Sequence, residues 1–146
     1  MKRRVVITGV GPVTPIGTGK ETFWNNLIAG KSGVGIITRF DPTDFDVKIA
    51  GEVKNFEYAD YMDKKEGKRM DRVTHFAVAA AKLAVEDAKL DLEKINQVRA
   101  GVCVGSGIGG IETFVEQTTK YVEKGPSKIS PFFIPMEIPN MPAGQI

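Results

Sequence analysis

The apolar positions of this chain fall into two kinds of run. Residues 4–8 and 99–104 are continuous and rich in β-branched side chains, the pattern of short strands buried on both faces. Gly9 and Gly11 close the first run, and Pro12 and Pro15 exclude regular pairing in the loop that follows. Residues 72–89 behave differently. Val73, Phe76, Ala77, Ala80, Leu83 and Ala84 recur at helical spacing, while Lys82, Glu86 and Lys89 face water. Asp71 is the expected N-cap of this helix, and its alanines suit close packing against a sheet.

A helix is also expected over residues 18–29. Thr18 and Glu21 form a capping-box pattern, Phe23 with Leu27 and Trp24 with Ile28 make i,i+4 apolar pairs, and Gly30 supplies the stop. A third helix, over 111–123, is ended by Gly125-Pro126. Residues 34–37 and 49–53 read as short strands, with Asp41-Pro42 as a turn between them. Beyond residue 125 the pattern changes. Five of the eight prolines fall between 126 and 142, interleaved with Phe132, Phe133, Ile134, Met136 and Met141. A flexible proline-rich linker is polar, so this apolar segment is expected to wrap a surface as an ordered loop. The chain then stops at Ala143-Gly144-Gln145-Ile146 without charge or turn residues, which reads as a fragment of a longer protein.

Composition narrows the function. With 146 residues, 42% apolar and 26% charged, the chain fits one soluble globular domain. A net charge of +2 does not by itself argue for a nucleic-acid partner. Cys103 is the only cysteine and His75 the only histidine, which excludes an internal disulfide and a Cys/His zinc site. No metal or cofactor is expected. Val5-Val6-Ile7 is far too short for a signal sequence or a membrane span, so the expected location is the cytoplasm.

The glycines at 105–110, Gly-Ser-Gly-Ile-Gly-Gly, follow an expected strand and precede an expected helix, the setting of a dinucleotide-binding turn. That reading needs a second strand ending in an acidic residue about twenty positions on. Residues 120–134 carry Gly125, Pro126 and Pro131 instead. The Thr8-Gly9-Val10-Gly11 segment departs from the pattern too, with Thr14 where the third glycine belongs and a Pro12 that lacks an N–H. A nicotinamide-dependent oxidoreductase is therefore a distant alternative. The plainer readings are a tight turn with close backbone approach, or a slot for a thin apolar substrate with Ile108 as its one sizeable side chain.

Taken together, the motifs form an ordered series. Thr8-Gly9-x-Gly11-x-x-Thr14-Pro15-x-Gly17 is followed by Gly30-x-Ser32-Gly33, Phe40-Asp41, Ala50-Gly51-x-Val53 and Arg69-Met70-Asp71-Arg72. The 105–110 glycines come next, then Ile129-Ser130-Pro131-Phe132-Phe133 and Pro139-Asn140-Met141 with Ala143-Gly144. In order and spacing this series resembles the β-ketoacyl-[acyl-carrier-protein] synthases over essentially the whole chain. The Arg-Met-Asp and Ile-Ser-Pro-Phe-Phe segments favour the synthase II branch.

The resemblance implies an α/β, thiolase-like fold of α-β-α-β-α layers, of which residues 1–146 would be most of the N-terminal half. It implies an acyltransferase of fatty acid biosynthesis: a cysteine takes an acyl group from acyl carrier protein, and decarboxylated malonyl-carrier protein attacks the thioester. The Cys-His-His catalytic set would lie beyond Ile146, so no catalytic residue is expected in this chain and residues 1–146 alone should be inactive. Cys103, set between Val102 and Val104, is read as a buried, inert thiol, and His75 as a structural residue. Lys64, Lys65, Lys68 and Arg69 would form, with Lys128, a docking patch for the acidic carrier protein. Their plainer reading is a solvated helix face. Ser127 is a position where relatives often carry a further basic residue. Ile108 would gate the acyl pocket, and Phe133 would reach into it from the neighbouring subunit of a homodimer; ordinary packing is the alternative for both. The alternative is a non-catalytic chain-length-factor subunit, which shares this architecture but lacks the nucleophile.

Overall fold

The computed structural model describes residues 2–146. The chain divides into two compact units. Of the described residues, those up to 56 and 83–89 form the first, and 57–82 and 90–146 form the second.

The first unit is built from two small hairpins and a helix. Strands β1 (Val13–Thr14) and β2 (Gly17–Thr18) pair antiparallel, with Val13 opposite Thr18. The Thr14 hydroxyl donates to the Gly17 carbonyl at 2.9 Å and closes the Pro15-Ile16 turn. Helix α1 (Lys20–Ile28) follows. The expected capping box does not form, because Thr18 is committed to the β1–β2 ladder. Gly19 stands at the N-cap instead, at φ +83° and without a side-chain cap. The stop at Gly30 (φ +66°) is as expected, its N–H donating to the Leu27 carbonyl at 3.0 Å.

Strands β3 (Val34–Ile36) and β4 (Ile49–Gly51) form the second hairpin, Val34 opposite Gly51 and Ile36 opposite Ile49. The 34–37 and 49–53 expectations are met, one or two residues shorter. A Cβ on Gly33 would lie 2.5 Å from the Pro15 side chain, and one on Gly51 3.2 Å from it. These two motif glycines therefore let the β3–β4 hairpin close onto the Pro15 turn. Glu52 anchors the strand end, accepting from the N–H and hydroxyl of Thr38 (2.9 and 2.7 Å) and the N–H of Arg39.

Helix α3 (Arg72–Ala88) is the long helix the spacing predicts, and its last residues belong to the first unit. There its alanines meet an extended segment. A Cβ on Gly9 would overlap the Ala84 carbonyl oxygen and lie 2.7 Å from the Ala88 N. Asp87 holds that segment by accepting from the Val10 N–H at 3.0 Å, and pairs with Lys20 at 2.6 Å.

Residues 4–8 and 99–104 are not strands, which corrects the expectation. Val5 is 92% exposed, Ile7 86% and Val102 50%. A strand needs a partner on at least one hydrogen-bonding edge, and neither segment has one among the described residues. Cys103 is consequently exposed rather than buried.

In the second unit, α2 (Lys64–Gly67), the start of α3, α4 (Ile111–Lys124), α5 (Phe133–Glu137) and α6 (Met141–Gln145) pack around a polar centre. Asp71, Thr74, Thr113 and Gln117 are all buried. Among the described residues no buried side-chain nitrogen or oxygen lacks a partner, as a polar centre requires. Helix α4 ends at Gly125 (φ +81°), as expected. The proline-rich segment is ordered but largely helical, not a loop. Pro126 opens a 3-10 turn, Pro142 sits in the first turn of α6 and Pro135 in that of α5, where a missing N–H costs nothing. Among the described residues no helix is long and apolar enough to cross a membrane.

Candidate functional site

The basic cluster lies on and just after α2. This short helix forms because Asp63, extended at φ −60° and ψ 135°, caps it: its Oδ1 accepts from the N–H of Lys65 (2.8 Å) and of Glu66 (3.1 Å). Gly67 seats the helix, since a Cβ there would overlap the Tyr58 ring. Tyr58 in turn stacks on His75, with centroids 4.5 Å apart and planes 17° from parallel. His75 Nε2 lies 2.8 Å from the Gly67 carbonyl oxygen. His75 thus fastens α2 to α3 and is used as a structural residue.

With the inner face held, Lys64, Lys65, Lys68 and Arg69 are all exposed. Lys64, Lys65 and Lys68 make no salt bridge among the described residues, so their charge is available to a partner. Arg69 has a second contact: its guanidinium stands 4.8 Å from the centroid of the Phe132 ring, a cation–π arrangement that fixes its direction. Lys128 is exposed in the 3-10 turn Pro126–Lys128. Gln117 stabilises the adjoining backbone by accepting from the Ser130 N–H at 2.8 Å.

A cavity of about 340 Å³ opens beside Arg69. Glu66, Met70, Thr74, Phe132, Pro135, Met141 and Gln145 complete its lining, and neither Ile108 nor Phe133 is part of it. Ile108 stands on the glycine turn and is 64% exposed. Phe133, half-buried, opens α5 and packs against Phe114 of α4, with ring centroids 6.3 Å apart.

The turn itself is shaped by α5. Gly109 has φ +83°, and a Cβ on it would overlap the Glu137 carbonyl oxygen. A Cβ on Gly110 would overlap the Met136 carbonyl oxygen, while the Gly110 N–H donates to the Glu137 carbonyl at 2.7 Å. Two carbonyl oxygens thus face these glycines. A dinucleotide pyrophosphate needs N–H donors there, so the nucleotide reading has no site. Among the described residues no group of three or more His, Cys, Asp and Glu side chains could hold a metal ion.

Asp71 is the residue whose full role the sequence did not disclose. It caps α3 as expected, Oδ1 accepting from the Val73 N–H at 3.1 Å. Its Oδ2 also accepts from the Thr113 N–H of α4 at 2.8 Å, forty-two residues away.

Comparison with known proteins follows the same outline. Residues 2–146 match the model of the beta-ketoacyl synthase N-terminal domain. The chain is 49% identical over 144 residues to 3-oxoacyl-[acyl-carrier-protein] synthase 2 of Staphylococcus aureus (strain COL), covering 99% of this chain and 35% of that protein. It is 48% identical over 143 residues to the synthase 2 of Synechocystis sp., covering 98% and 34%. This chain therefore spans about a third of the length of these curated relatives. Among solved structures it resembles the ishigamide ketosynthase/chain length factor (TM-score 0.81, 33% identity, 94% of this chain and 34% of that one). It also resembles a beta-ketoacyl synthase from Burkholderia phymatum (TM-score 0.77, 30% identity, 98% and 36%). The ketosynthase of a type II acyl-carrier protein complex shares the fold at 22% identity (TM-score 0.80, 99% and 38%). These likenesses bear out the thiolase-like α/β fold class.

Proposed function

The chain belongs to the β-ketoacyl synthase family as its N-terminal domain, and on that premise we propose that it is the first part of a 3-oxoacyl-[acyl-carrier-protein] synthase of type 2. The whole enzyme would lengthen an acyl chain by decarboxylative Claisen condensation of acyl- with malonyl-carrier protein in fatty acid synthesis. The observation that carries this reading is 49% identity to a synthase 2 over 99% of the chain. Residues 1–146 would form an incomplete half-domain, with the nucleophilic cysteine and two histidines beyond Ile146. The protein would act as a cytoplasmic homodimer.

Within this reading, Lys64, Lys65, Lys68, Arg69 and Lys128 receive the acidic carrier protein. The exposure of these side chains supports this, as does the absence, among the described residues, of a salt bridge from any of the three lysines of the α2 cluster. Ile108 gates the acyl pocket, its exposed side chain free to meet substrate. Phe133 contributes from the second subunit. Burying an alkyl chain gains about 0.8 kcal/mol per CH₂, so apolar walls suffice for such a pocket. A chain-length-factor subunit is the second reading, favoured by the 33% identity to the ishigamide ketosynthase/chain length factor; the higher identity to the synthases weighs against it.

The test is charge reversal at Lys65 and Arg69 together in the full-length protein. Lost steering and docking should raise KM for the carrier-bound substrate about tenfold at low salt, with kcat little changed. The difference should shrink as salt is added. An unchanged KM would remove the docking assignment, and absence of condensation by the unaltered protein would favour the non-catalytic reading.

A further inference from the structure

We propose that Asp71 is the positioning residue that sets where the Ile108 turn stands, and through it the acyl-chain preference of the condensation; the second clause rests on the functional reading above. Asp71 spends both carboxylate oxygens on backbone N–H groups of two different helices. Oδ1 takes Val73 of α3 at 3.1 Å and Oδ2 takes Thr113 of α4 at 2.8 Å. Asp71 is 5% exposed, and a polar group buried to that degree costs free energy unless its acceptor sites are filled.

The turn that carries Ile108 leads directly into α4. Gly110 precedes the first residue of that helix, and a Cβ on it would stand 3.0 Å from both Cβ and Cγ of Asp71. Asp71 is thus in contact range of the turn as well as bonded to the helix behind it. On the other side the turn is tied to α5 by the Gly110 N–H on the Glu137 carbonyl, and internally by the Gly109 N–H on the Ser106 hydroxyl (3.0 Å).

Ile108 itself has little to hold it. Because Ile108 is 64% exposed, its position follows from the backbone of the turn, not from packing of its own. Asp71 also stands two residues after Arg69 and directly before α3. One carboxylate therefore keeps the gate-bearing turn in register with the segment that bears the docking charges.

The experiment is Asp71→Asn and Asp71→Ser in the full-length protein. An amide offers one acceptor and turns an N–H toward the other helix, while serine keeps a single cap bond. Both variants should lose the Thr113 bond, and amide exchange at Thr113 should speed up about fivefold or more. The ratio of kcat/KM for long over short acyl chains should shift by a similar factor of about five, with KM for the carrier unchanged. An equal loss at every chain length, or a Thr113 amide as protected as before, overturns the proposal. Should one variant fail to fold, the other decides it. If the unaltered protein performs no condensation, the functional reading falls separately, and Thr113 exchange alone then supports or overturns the positioning role.

Discussion

Replacing Gly109 by alanine places two costs on one added atom. The first is conformational. Gly109 has φ +83°, and a Cβ in left-handed backbone costs about 1–2 kcal/mol. The second is steric. The new Cβ would overlap the Glu137 carbonyl oxygen and lie 3.1 Å from the Pro139 N. These are backbone atoms of the end of α5 and the residues after it, so no rotamer change relieves the contact. Forcing an extra methyl into such a place costs about 1–3 kcal/mol. Displacing the Glu137 carbonyl also weakens the 2.7 Å bond from the Gly110 N–H, about 1 kcal/mol net. Gly30 is the matched control: its φ is +66°, and nothing lies within 4 Å of a Cβ there. Gly30→Ala should therefore cost about 1–2 kcal/mol, and Gly109→Ala about 3–6 kcal/mol. Urea unfolding of each full-length variant, with m compared alongside the midpoint, measures the difference. Equal, small losses would show that the glycine turn does not depend on close approach of α5.

Two further outcomes are expected. The Asp87 carboxyl is held below its ordinary value of 3.8, first by the Lys20 hydrogen bond and then by the Val10 N–H. A folded pKa lowered in this way stabilises above the unfolded value and loses its effect as pH falls through the folded one; Asp87→Asn should thus be less stable at neutral pH and converge with the unaltered protein in acid, whereas parallel pH profiles would refute the assignment. The Cys103 thiol, exposed here, should alkylate freely in isolated residues 1–146 and about tenfold or more slowly in the full-length protein, where residues 99–104 would pair as a strand; equal rates would mean that segment never enters a sheet.

What could be read from the sequence divides by the range of its causes. Helices α3 and α4 and the β3–β4 hairpin were legible because spacing, Asp71, Gly125 and the Asp41-Pro42 turn act within a few residues. The capping box at Thr18 and Glu21 was legible but misleading, since Thr18 is spent on the β1–β2 ladder and no local pattern records that competition. The proline-rich segment from 126 onward suggests an ordered loop. Three of its five prolines, Pro126, Pro135 and Pro142, stand instead in the first turns of a 3-10 turn, α5 and α6, places that helices tolerate. At the candidate site, the charge of Lys64, Lys65, Lys68 and Arg69 was visible directly. The contact of Arg69 with Phe132 and the bond from Thr113 to Asp71 were not, because each joins residues more than forty positions apart.

The same division explains residues 4–8 and 99–104. A continuous β-branched run states that both faces of a strand are to be buried, but it does not name the partner. Here the second unit buries Asp71, Thr74, Thr113 and Gln117, whose hydrogen bonds fix geometry, while Val98 and Val102 remain exposed. Polar centres of this kind return about 1 kcal/mol per bond after desolvation, whereas each aliphatic side chain buried returns about 1.5–3 kcal/mol. The bonds around Asp71 therefore specify where α3, α4 and the Ile108 turn stand, and the larger stabilisation is left to apolar surface that these residues do not cover among themselves. In the longer enzyme proposed above, that surface is where the remaining chain should add its strands. The site would then gain rigidity from burial of segments that touch neither Arg69 nor Ile108.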